Sequence, residues 1–197
     1  MTTIDYYNQN NKTLIEKYDS VKPLEIHELF EKHIEKNSSV LDIGFGSGRD
    51  LNFIRENITN DVFGLDGSIE FVKNIQKDYF YKNRISLSVL PSIDISKFKT
   101  KKFDTVISIA VLMHLCMKDI LKTVKNMKSI LKPNGKIIIS YSTKSRNSDD
   151  RSFYNISKSE MTNLFASNQF REMASISNND SLNRDIEWIT QIFKSTY

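Results

Sequence analysis

The stretch VLDIGFGSGRDLNFI, residues 40–54, decides the fold class. Its first part is apolar enough to be buried on both faces, as central parallel strands are. Glycines then stand at positions 44, 46 and 48, and from residue 47 onward the apolar spacing becomes helical, with Leu51, Ile54 and Ile58 on one side. A buried strand that passes through a glycine-rich turn into a helix is typical of ligand-binding turns in α/β sheets.

The rest of the chain repeats this alternation of strand and helix. The apolar pattern predicts strands at 39–44, 61–66, 84–90, 103–112 and 135–142, and then two closing strands at 170–177 and 185–194. It predicts helices at 24–34, 47–58, 68–82, 117–131 and about 157–167. In the helix at 68–82, Ile69, Val72, Ile75 and Tyr79 are expected to face inward. The predicted architecture is a doubly wound, mostly parallel, seven-stranded α/β sheet that ends in an antiparallel hairpin.

Length and composition set limits on the class of protein. The 197 residues, of which 39% are hydrophobic, suit a single domain spanning 1–197. Apolar runs fall short of the roughly 18 residues that a membrane span needs, and the start, MTTIDYYNQNN, lacks the regions of a signal peptide. We therefore expect a cytoplasmic protein. Cys116 is the single cysteine, which excludes an internal disulfide and speaks against structural zinc.

Charge and histidine spacing speak against two further kinds of partner. The net charge is +4, but the basic residues are mostly lysines scattered over predicted helix surfaces, and the run KFKTKK at 97–102 is interpreted as a solvated turn. Nucleic acid is therefore not the expected partner. His27 and His33 share a helix without a partner at metal-ligand spacing, so no metal site is expected. The sequence leaves the oligomeric state open.

The glycine turn and a second acid together indicate a nucleoside ligand. Asp66 ends the second predicted strand 22 positions after Gly44, a separation that suits a carboxylate binding a ribose diol. A dinucleotide pattern would place its third glycine where Arg49 stands, and Asp42 precedes the first glycine by two residues. A carboxylate at that point repels a pyrophosphate and favours a ligand with an ammonium group. The alternative, that both acids only cap helices, is weaker because the two signals coincide.

Four stretches together resemble the class I S-adenosylmethionine-dependent methyltransferases: VLDIGFGSGRD, FGLDGS, FDTVISIAVLMHL and LKPNGKIIIS, in that order. The resemblance implies a Rossmann-like methyltransferase fold with S-adenosylmethionine as cofactor and S-adenosylhomocysteine as product. It divides the chain into an N-terminal lid and lead-in helix (1–34), a cofactor-binding core (35–142), and a substrate-side loop, helix and hairpin (143–197).

The resemblance also implies residue roles at the cofactor. Asp42, Gly44, Phe45 and Gly46 would surround the methionine portion, and Asp66 and Gly67 the ribose. Main-chain atoms of Ile109 and Ala110, with Val111 beside them, would edge the adenine or methionine, and Tyr18 would cover the cofactor from the lid.

One position departs from the family pattern. Where many members place an acid against the adenine amino group, this chain has Ser88, Val89 and Leu90. We expect main-chain atoms of Val89 and Leu90, or the Ser88 hydroxyl, to take that place. Asp94 comes too late in the chain for this role.

For the chemistry, His114 is the candidate catalytic residue, because a histidine can accept a hydroxyl proton or hydrogen-bond an anionic acceptor. The alternative is that it packs against the following helix. Nucleobase methylation is disfavoured, because SIAV replaces the Asn/Asp-Pro-Pro-aromatic run of the amino-directed enzymes and Cys116 does not follow a proline.

The acceptor pocket is expected from the lid and the substrate side of the chain. Its candidate residues are Tyr7, Arg146, Arg151, Arg184 and Trp188. Arginine suits a carboxylate or phosphate-like group, so the predicted substrate is a small, anionic metabolite methylated on oxygen or nitrogen. Two alternatives stay open: an RNA or protein methyltransferase, and a module that senses S-adenosylmethionine without turning it over.

Overall fold

The computed structural model describes residues 1–99, 101–144, 146, 149–179 and 186–196. Seven strands follow one another along the chain: β1 (Val40–Ile43), β2 (Val62–Asp66), β3 (Ile85–Leu87), β4 (Phe103–Ile109), β5 (Leu131–Ser142), β6 (Phe170–Asn179) and β7 (Glu187–Ser195). The helices are α1 (Thr3–Gln9), α2 (Asn11–Ser20), α3 (Leu24–His33), α4 (Arg49–Asn57), α5 (Ile69–Ile75), α6 (Met117–Ile130) and α7 (Lys158–Ser167).

In the described part of the chain these strands form one sheet in the order β3-β2-β1-β4-β5-β7-β6. The pairs β1–β2, β1–β4, β2–β3 and β4–β5 are parallel, whereas β7 is antiparallel to both β5 and β6. The predicted sheet and its closing antiparallel hairpin are thus confirmed. The chain order reverses between β1 and β4, and in open α/β sheets the crevice beside that point receives ligands.

Two apolar clusters hold helices against the two faces of the sheet. Successive residues of β1 alternate between them: Leu41 packs with α6 and α7, and Val40 packs with α3, α4 and α5. Phe30 of α3 and Phe165 of α7 are fully buried, one in each cluster. Full burial of such a side chain contributes about 1.5–3 kcal/mol. β1 and β4 lie between these two clusters at the centre of the sheet, and the turns that form the site follow their carboxyl ends.

The predicted helix at 68–82 is wrong in its second half. Helix α5 ends at Ile75, and a separate 3-10 turn, Tyr79–Tyr81, follows. This turn begins at Asp78, whose side chain accepts a hydrogen bond from Phe80 N. Because the helical period stops at Ile75, Tyr79 is 85% exposed, and Tyr81 is buried in its place.

Candidate active site

The glycine turn between β1 and α4 is shaped by close approach to Val111, two residues after the end of β4. Gly44 has φ +81°, a conformation that side chains strain to adopt, and a Cβ there would lie 2.3 Å from Val111 Cγ2. A Cβ on Gly46 would instead meet only the Tyr18 ring, at 3.7 Å. Gly44 therefore lets the ends of β1 and β4 come together, whereas Gly46 leaves open space under the N-terminal helices.

Asp66, at the end of β2, faces this turn. One carboxylate oxygen accepts a hydrogen bond from Gly46 N at 2.9 Å, and the other accepts one from Ser68 N at 2.8 Å. Burial raises the pKa of Asp66 to about 6, although the main-chain N–H groups of Ser68, Gly46 and Gly67 oppose the shift. Each oxygen keeps a lone pair, so the carboxylate can still accept hydrogen bonds from a ligand.

A cavity of about 420 Å³ opens over the turn, a volume in the range of small-molecule sites. Most of the residues predicted from the sequence lie on its wall: Gly44, Phe45, Gly46, Asp66, Gly67, Val89, Leu90, Ile109, Ala110, Val111 and Tyr18 from the cofactor set, with Tyr7, His114, Arg146, Arg151 and Trp188 from the catalytic and acceptor sets. The structure therefore brings them together, and their individual roles stay predictions. Arg184 lies outside the described residues.

Among the predicted residues that the structure describes, Asp42 is the one that is absent from the cavity wall. Its side chain is buried in β1, and burial, reinforced by the charges of Asp50 and Asp66, raises its pKa well above the ordinary value. A direct contact between Asp42 and the cofactor stays a prediction.

Arg49 and Asp50, at the start of α4, lie on the cavity wall. Neither was predicted from the sequence as a site residue. Arg49 donates to both oxygens of Asp50 at 3.0 Å, and His27 Nε2 lies 2.9 Å from Asp50 Oδ1. Burial opposes ionisation of Asp50, but the hydrogen bonds from His27 and Arg49 outweigh it and hold its pKa below the ordinary value. Arg49 and Asp50 directly follow Gly48, the last glycine of the turn, and this adjacency is the sequence signal from which they could have been predicted.

The opposite end of the cavity is built around His114. Its Nδ1 lies 2.7 Å from the Ser152 carbonyl oxygen, and its Nε2 lies 2.9 Å from the Tyr7 hydroxyl. Arg151 donates to the same hydroxyl at 3.3 Å. Burial, assisted by the charges of Arg151 and Arg146, lowers the pKa of His114 to about 4, so the imidazole is neutral at pH 7.

Hydrogen bonds on two sides hold helix α1 over the cavity. Tyr7 reaches His114, Asn8 Oδ1 accepts a hydrogen bond from the Ser68 hydroxyl at 2.7 Å, and Thr3 Oγ1 accepts one from Ser152 N at 3.0 Å. The segment predicted as a lid thus joins the loop after β2 to the loop after β5. A cover of this kind would exclude water from the cavity.

Arg146 and Trp188 complete this end. The Arg146 guanidinium lies 4.1 Å from the centre of the Phe153 ring and 6.0 Å from that of Trp188, and it donates to the Ser142 hydroxyl at 3.2 Å. Arg151 also packs near Phe153, and Asp149 accepts two of its hydrogen bonds, at 2.8 and 2.7 Å. Two guanidinium groups therefore flank His114, in a setting of aromatic rings.

Two further observations concern metals and membranes. Across the residues that the structure describes, no group of three or more His, Cys, Asp or Glu side chains is arranged to hold a metal ion. Within the same residues, no helix has the length and apolar character that crossing a bilayer requires.

Comparison with known proteins identifies the family. A family model described as a methyltransferase domain matches residues 14–187, and the chain belongs to that family. A curated but uncharacterised protein of Methanocaldococcus jannaschii is 29% identical over 134 residues, covering 66% of this chain. The match covers 48% of that relative, so the chain spans about half of its length.

Solved structures agree on the fold. A magnesium protoporphyrin IX methyltransferase from Synechocystis with bound S-adenosylhomocysteine superposes with a TM-score of 0.72 at 15% identity, over 98% of this chain and 97% of that one. A Burkholderia thailandensis 1,6-didemethyltoxoflavin N1-methyltransferase, solved with bound 1,6-didemethyltoxoflavin and S-adenosylhomocysteine, gives a TM-score of 0.74 at 16% identity, over 98% of this chain and 86% of that one. The described chain thus carries a class I S-adenosylmethionine-dependent methyltransferase domain, which confirms the resemblance seen in the sequence.

Proposed function

We propose that the protein transfers a methyl group from S-adenosylmethionine to an oxygen or nitrogen of a small molecule. The observation that carries the proposal is the continuity of the cavity, which runs from Asp66 and Gly46 to His114 and Arg151. Donor and acceptor can therefore share one cavity. Holding the two reactants in line is the main requirement of methyl transfer, and positioning of this kind can supply roughly 7–11 kcal/mol.

The end of the cavity at Asp66 and Gly46 is the donor end, and its wall suits S-adenosylmethionine chemically. Asp66 offers lone pairs to the ribose hydroxyls, and Gly46 offers a main chain without a Cβ. Val89 and Leu90 lie on the wall where the adenine is expected. When bound, S-adenosylmethionine supplies an electrophilic methyl group on a sulfonium. Arg49 and Asp50 would lie near its amino-acid tail.

The acceptor end favours a small molecule over RNA or protein. His114 lies under α1, which contributes Tyr7 to the site and which the Thr3–Ser152 and Asn8–Ser68 hydrogen bonds hold in place. A polymer would have to displace this helix, whereas a metabolite needs only a local opening. The two solved relatives, by their names, act on small molecules, and we extend that acceptor class to this chain. The single cysteine supports a reducing, cytoplasmic setting for the activity.

A screen for S-adenosylhomocysteine release tests the proposal. The protein is incubated with S-adenosylmethionine and pools of metabolites, total RNA or a protein extract, and Asp66→Asn is the matched control with weakened cofactor binding. We expect release with a metabolite pool and about 10- to 100-fold less from the variant. Release that occurs only with RNA or protein would show that the acceptor is a polymer and not a small molecule. Tight cofactor binding with no release from any pool would favour a sensor.

The affinity for S-adenosylhomocysteine is expected to fall on acidification. The ribose hydroxyls donate to the ionised Asp66, whose pKa in the unliganded protein is raised to about 6. Binding should therefore weaken about tenfold between pH 7 and pH 5. Asp66 affects the stability of the unliganded protein in the opposite direction. Its carboxyl group holds a proton more tightly in the folded state than in the unfolded state, so its contribution to the free energy of unfolding falls as the pH rises from about 4 to 6.

Calorimetric titrations at both pH values check this dependence. Asp66→Asn removes the titrating group and should bind weakly but equally at pH 5 and pH 7. An unchanged affinity of the wild type across this interval, or a fall that persists in the variant, would show that Asp66 is not the group responsible.

A further inference from the structure

We propose that Arg49 is a positioning residue for the cofactor, because it fastens the C-terminal end of α2, and with it the Tyr18 ring, over the glycine turn. The inference rests on the proposed function and adds to the donor end of that site a means of covering the bound nucleoside. Three observations carry it: the hydrogen bonds of Arg49, the anchoring of Asp50 by α3, and the place of Tyr18 beside Gly46.

All three guanidinium nitrogens of Arg49 donate hydrogen bonds within the protein. Nε and Nη2 donate to the two carboxylate oxygens of Asp50, each at 3.0 Å, and Nη1 donates to the main-chain oxygen of Tyr18 at 3.3 Å. A guanidinium holds its N–H groups in a fixed planar fork, so the pairing with Asp50 also sets the direction of the N–H group that reaches Tyr18. Arg49 therefore connects the start of α4 to the end of α2 in one geometry.

Asp50 is anchored in turn by α3. Its Oδ1 accepts a hydrogen bond from His27 Nε2 at 2.9 Å, and the His27 ring is stacked on that of Phe53 in α4, with centroids 3.7 Å apart and an angle of 13° between the planes. The Asp50 side chain is buried, so packing as well as hydrogen bonds fixes its position. His27, Asp50, Arg49 and the Tyr18 carbonyl, which we call the Arg49 network, thus join α2, α3 and α4.

The Tyr18 carbonyl is a favourable partner for a guanidinium. It lies in the last turn of α2, where it also accepts a hydrogen bond from Val21 N at 3.2 Å. The last carbonyls of a helix carry partial negative charge and lack partners within the helix, so a cation is stabilising there. Residues 21–23 connect α2 to α3, and Arg49 and His27 therefore hold the chain on both sides of this short connection.

The same turn of α2 places the Tyr18 ring over the glycine turn. A Cβ on Gly46 would lie 3.7 Å from this ring, and Tyr18, Gly46 and Arg49 all lie on the cavity wall. Arg49 directly follows Gly48, so the residue that fastens α2 adjoins the turn that is expected to receive the cofactor. Release of α2 would uncover this part of the wall, and we expect the Arg49 network to strengthen the binding of the nucleoside.

Stability alone is a weak explanation of the Arg49 network. Taking a carboxylate and a guanidinium out of water costs free energy that their attraction only partly returns, and a buried ion pair can often be replaced by apolar side chains without loss of stability. Apolar side chains would not supply the directed hydrogen bond to the Tyr18 carbonyl. The loss of this network is therefore expected to affect cofactor binding and the position of α2 more than the stability of the sheet.

Two ligands separate this role from a direct contact between Arg49 and the amino-acid tail of the cofactor. S-adenosylhomocysteine carries the tail, and methylthioadenosine is the same nucleoside without it. We expect Arg49→Gln to weaken both ligands by a similar factor, about tenfold or more, in calorimetric titrations. Weakening of S-adenosylhomocysteine alone would show that Arg49 binds the tail and would overturn the inference.

Arg49→Lys distinguishes geometry from charge. A lysine ammonium keeps the positive charge, but it is a point charge and does not provide the fixed fork that joins Asp50 to the Tyr18 carbonyl. We expect this variant to lose most of the affinity that Arg49→Gln loses, whereas full affinity would contradict the inference. The matched control is Arg55→Gln on the same helix, because Arg55 also pairs with an aspartate, Asp78, but is absent from the cavity wall. It should bind both ligands within twofold of wild type.

Amide hydrogen exchange tests the position of α2 directly. Arg49→Gln should speed exchange in α2 about tenfold or more and leave exchange in α7, which packs in the other apolar cluster, within twofold of wild type. A substitution that merely destabilises the fold would speed exchange in both helices. Unchanged exchange in α2, or an equal increase in α2 and α7, would therefore overturn the inference.

The same samples separate failure of this inference from failure of the proposed function. If the wild type binds neither S-adenosylhomocysteine nor methylthioadenosine, the proposed function fails and the inference fails with it. If the wild type binds and Arg49→Gln binds equally well, only the inference is lost. If methylthioadenosine binds the wild type too weakly to titrate, the affinity of Arg49→Lys for S-adenosylhomocysteine and the exchange in α2 decide between positioning and direct contact.

Discussion

Asp66→Asn is expected to weaken the binding of S-adenosylmethionine and S-adenosylhomocysteine about 10- to 100-fold. The variant keeps the shape of the side chain but replaces one acceptor oxygen with an NH₂ group. Gly46 N donates to one carboxylate oxygen and Ser68 N to the other, so in either orientation the NH₂ group faces one of these N–H donors. A lost hydrogen bond to a charged group costs about 1.5–3 kcal/mol, which corresponds to that loss in affinity.

Asp94→Asn is the matched control for this measurement. Asp94, in the connection between β3 and β4, also accepts a main-chain hydrogen bond, from Ser96 N, but it is absent from the cavity wall. We expect cofactor affinity within twofold of wild type for this variant in calorimetric titrations. If Asp66→Asn behaved like the control, the ribose would lie elsewhere.

Gly44→Ala is expected to lower the free energy of unfolding by about 2–5 kcal/mol. The left-handed backbone at φ +81° costs an alanine about 1–2 kcal/mol, and forcing its Cβ against Val111 adds about 1–3 kcal/mol. Rotation of Val111 gives little relief, because its Cβ and Cγ1 both lie only 3.3 Å from the added atom. Denaturant unfolding measures the loss, and cofactor binding should fall with it as the turn shifts.

Two variants separate the clash from the backbone strain. Val111→Ala combined with Gly44→Ala removes the close contact and should recover part of the lost stability. Gly46→Ala meets nothing closer than the Tyr18 ring at 3.7 Å, so it should lose only the 1–2 kcal/mol or so of backbone strain. Equal losses in all three proteins would mean that contact with Val111 does not shape the turn.

The elements that could be predicted from the sequence are those with local signals. The alternation of strands and helices, the glycine turn and Asp66 each depend on residues close together in the chain, and the periodicity of an α/β fold is strong. The prediction fails where the local signal stops: the pattern continued the helix past Ile75, but the Asp78 side chain starts a new turn and Tyr79 faces solvent.

The remainder of the site depends on contacts that span the chain. Tyr7 and His114 are 107 residues apart and meet because α1 folds back over the sheet, which no periodic pattern encodes. The sequence predicts His114 as the catalytic residue from its type, and its contacts with Tyr7 and Ser152 could not be read from the local pattern. Asp42 likewise precedes the glycines in a suggestive position, and the direction of its side chain in β1 places it in the protein interior.

The most direct test of the account is a crystal structure of the protein grown with S-adenosylhomocysteine. We predict a nucleoside against the glycine turn, with its ribose hydroxyls within hydrogen-bond distance of the Asp66 carboxylate and its sulfur facing the end of the cavity that holds His114 and Arg151. A cavity that stays empty at saturating S-adenosylhomocysteine, or a nucleoside whose ribose lies away from Asp66, would contradict the account.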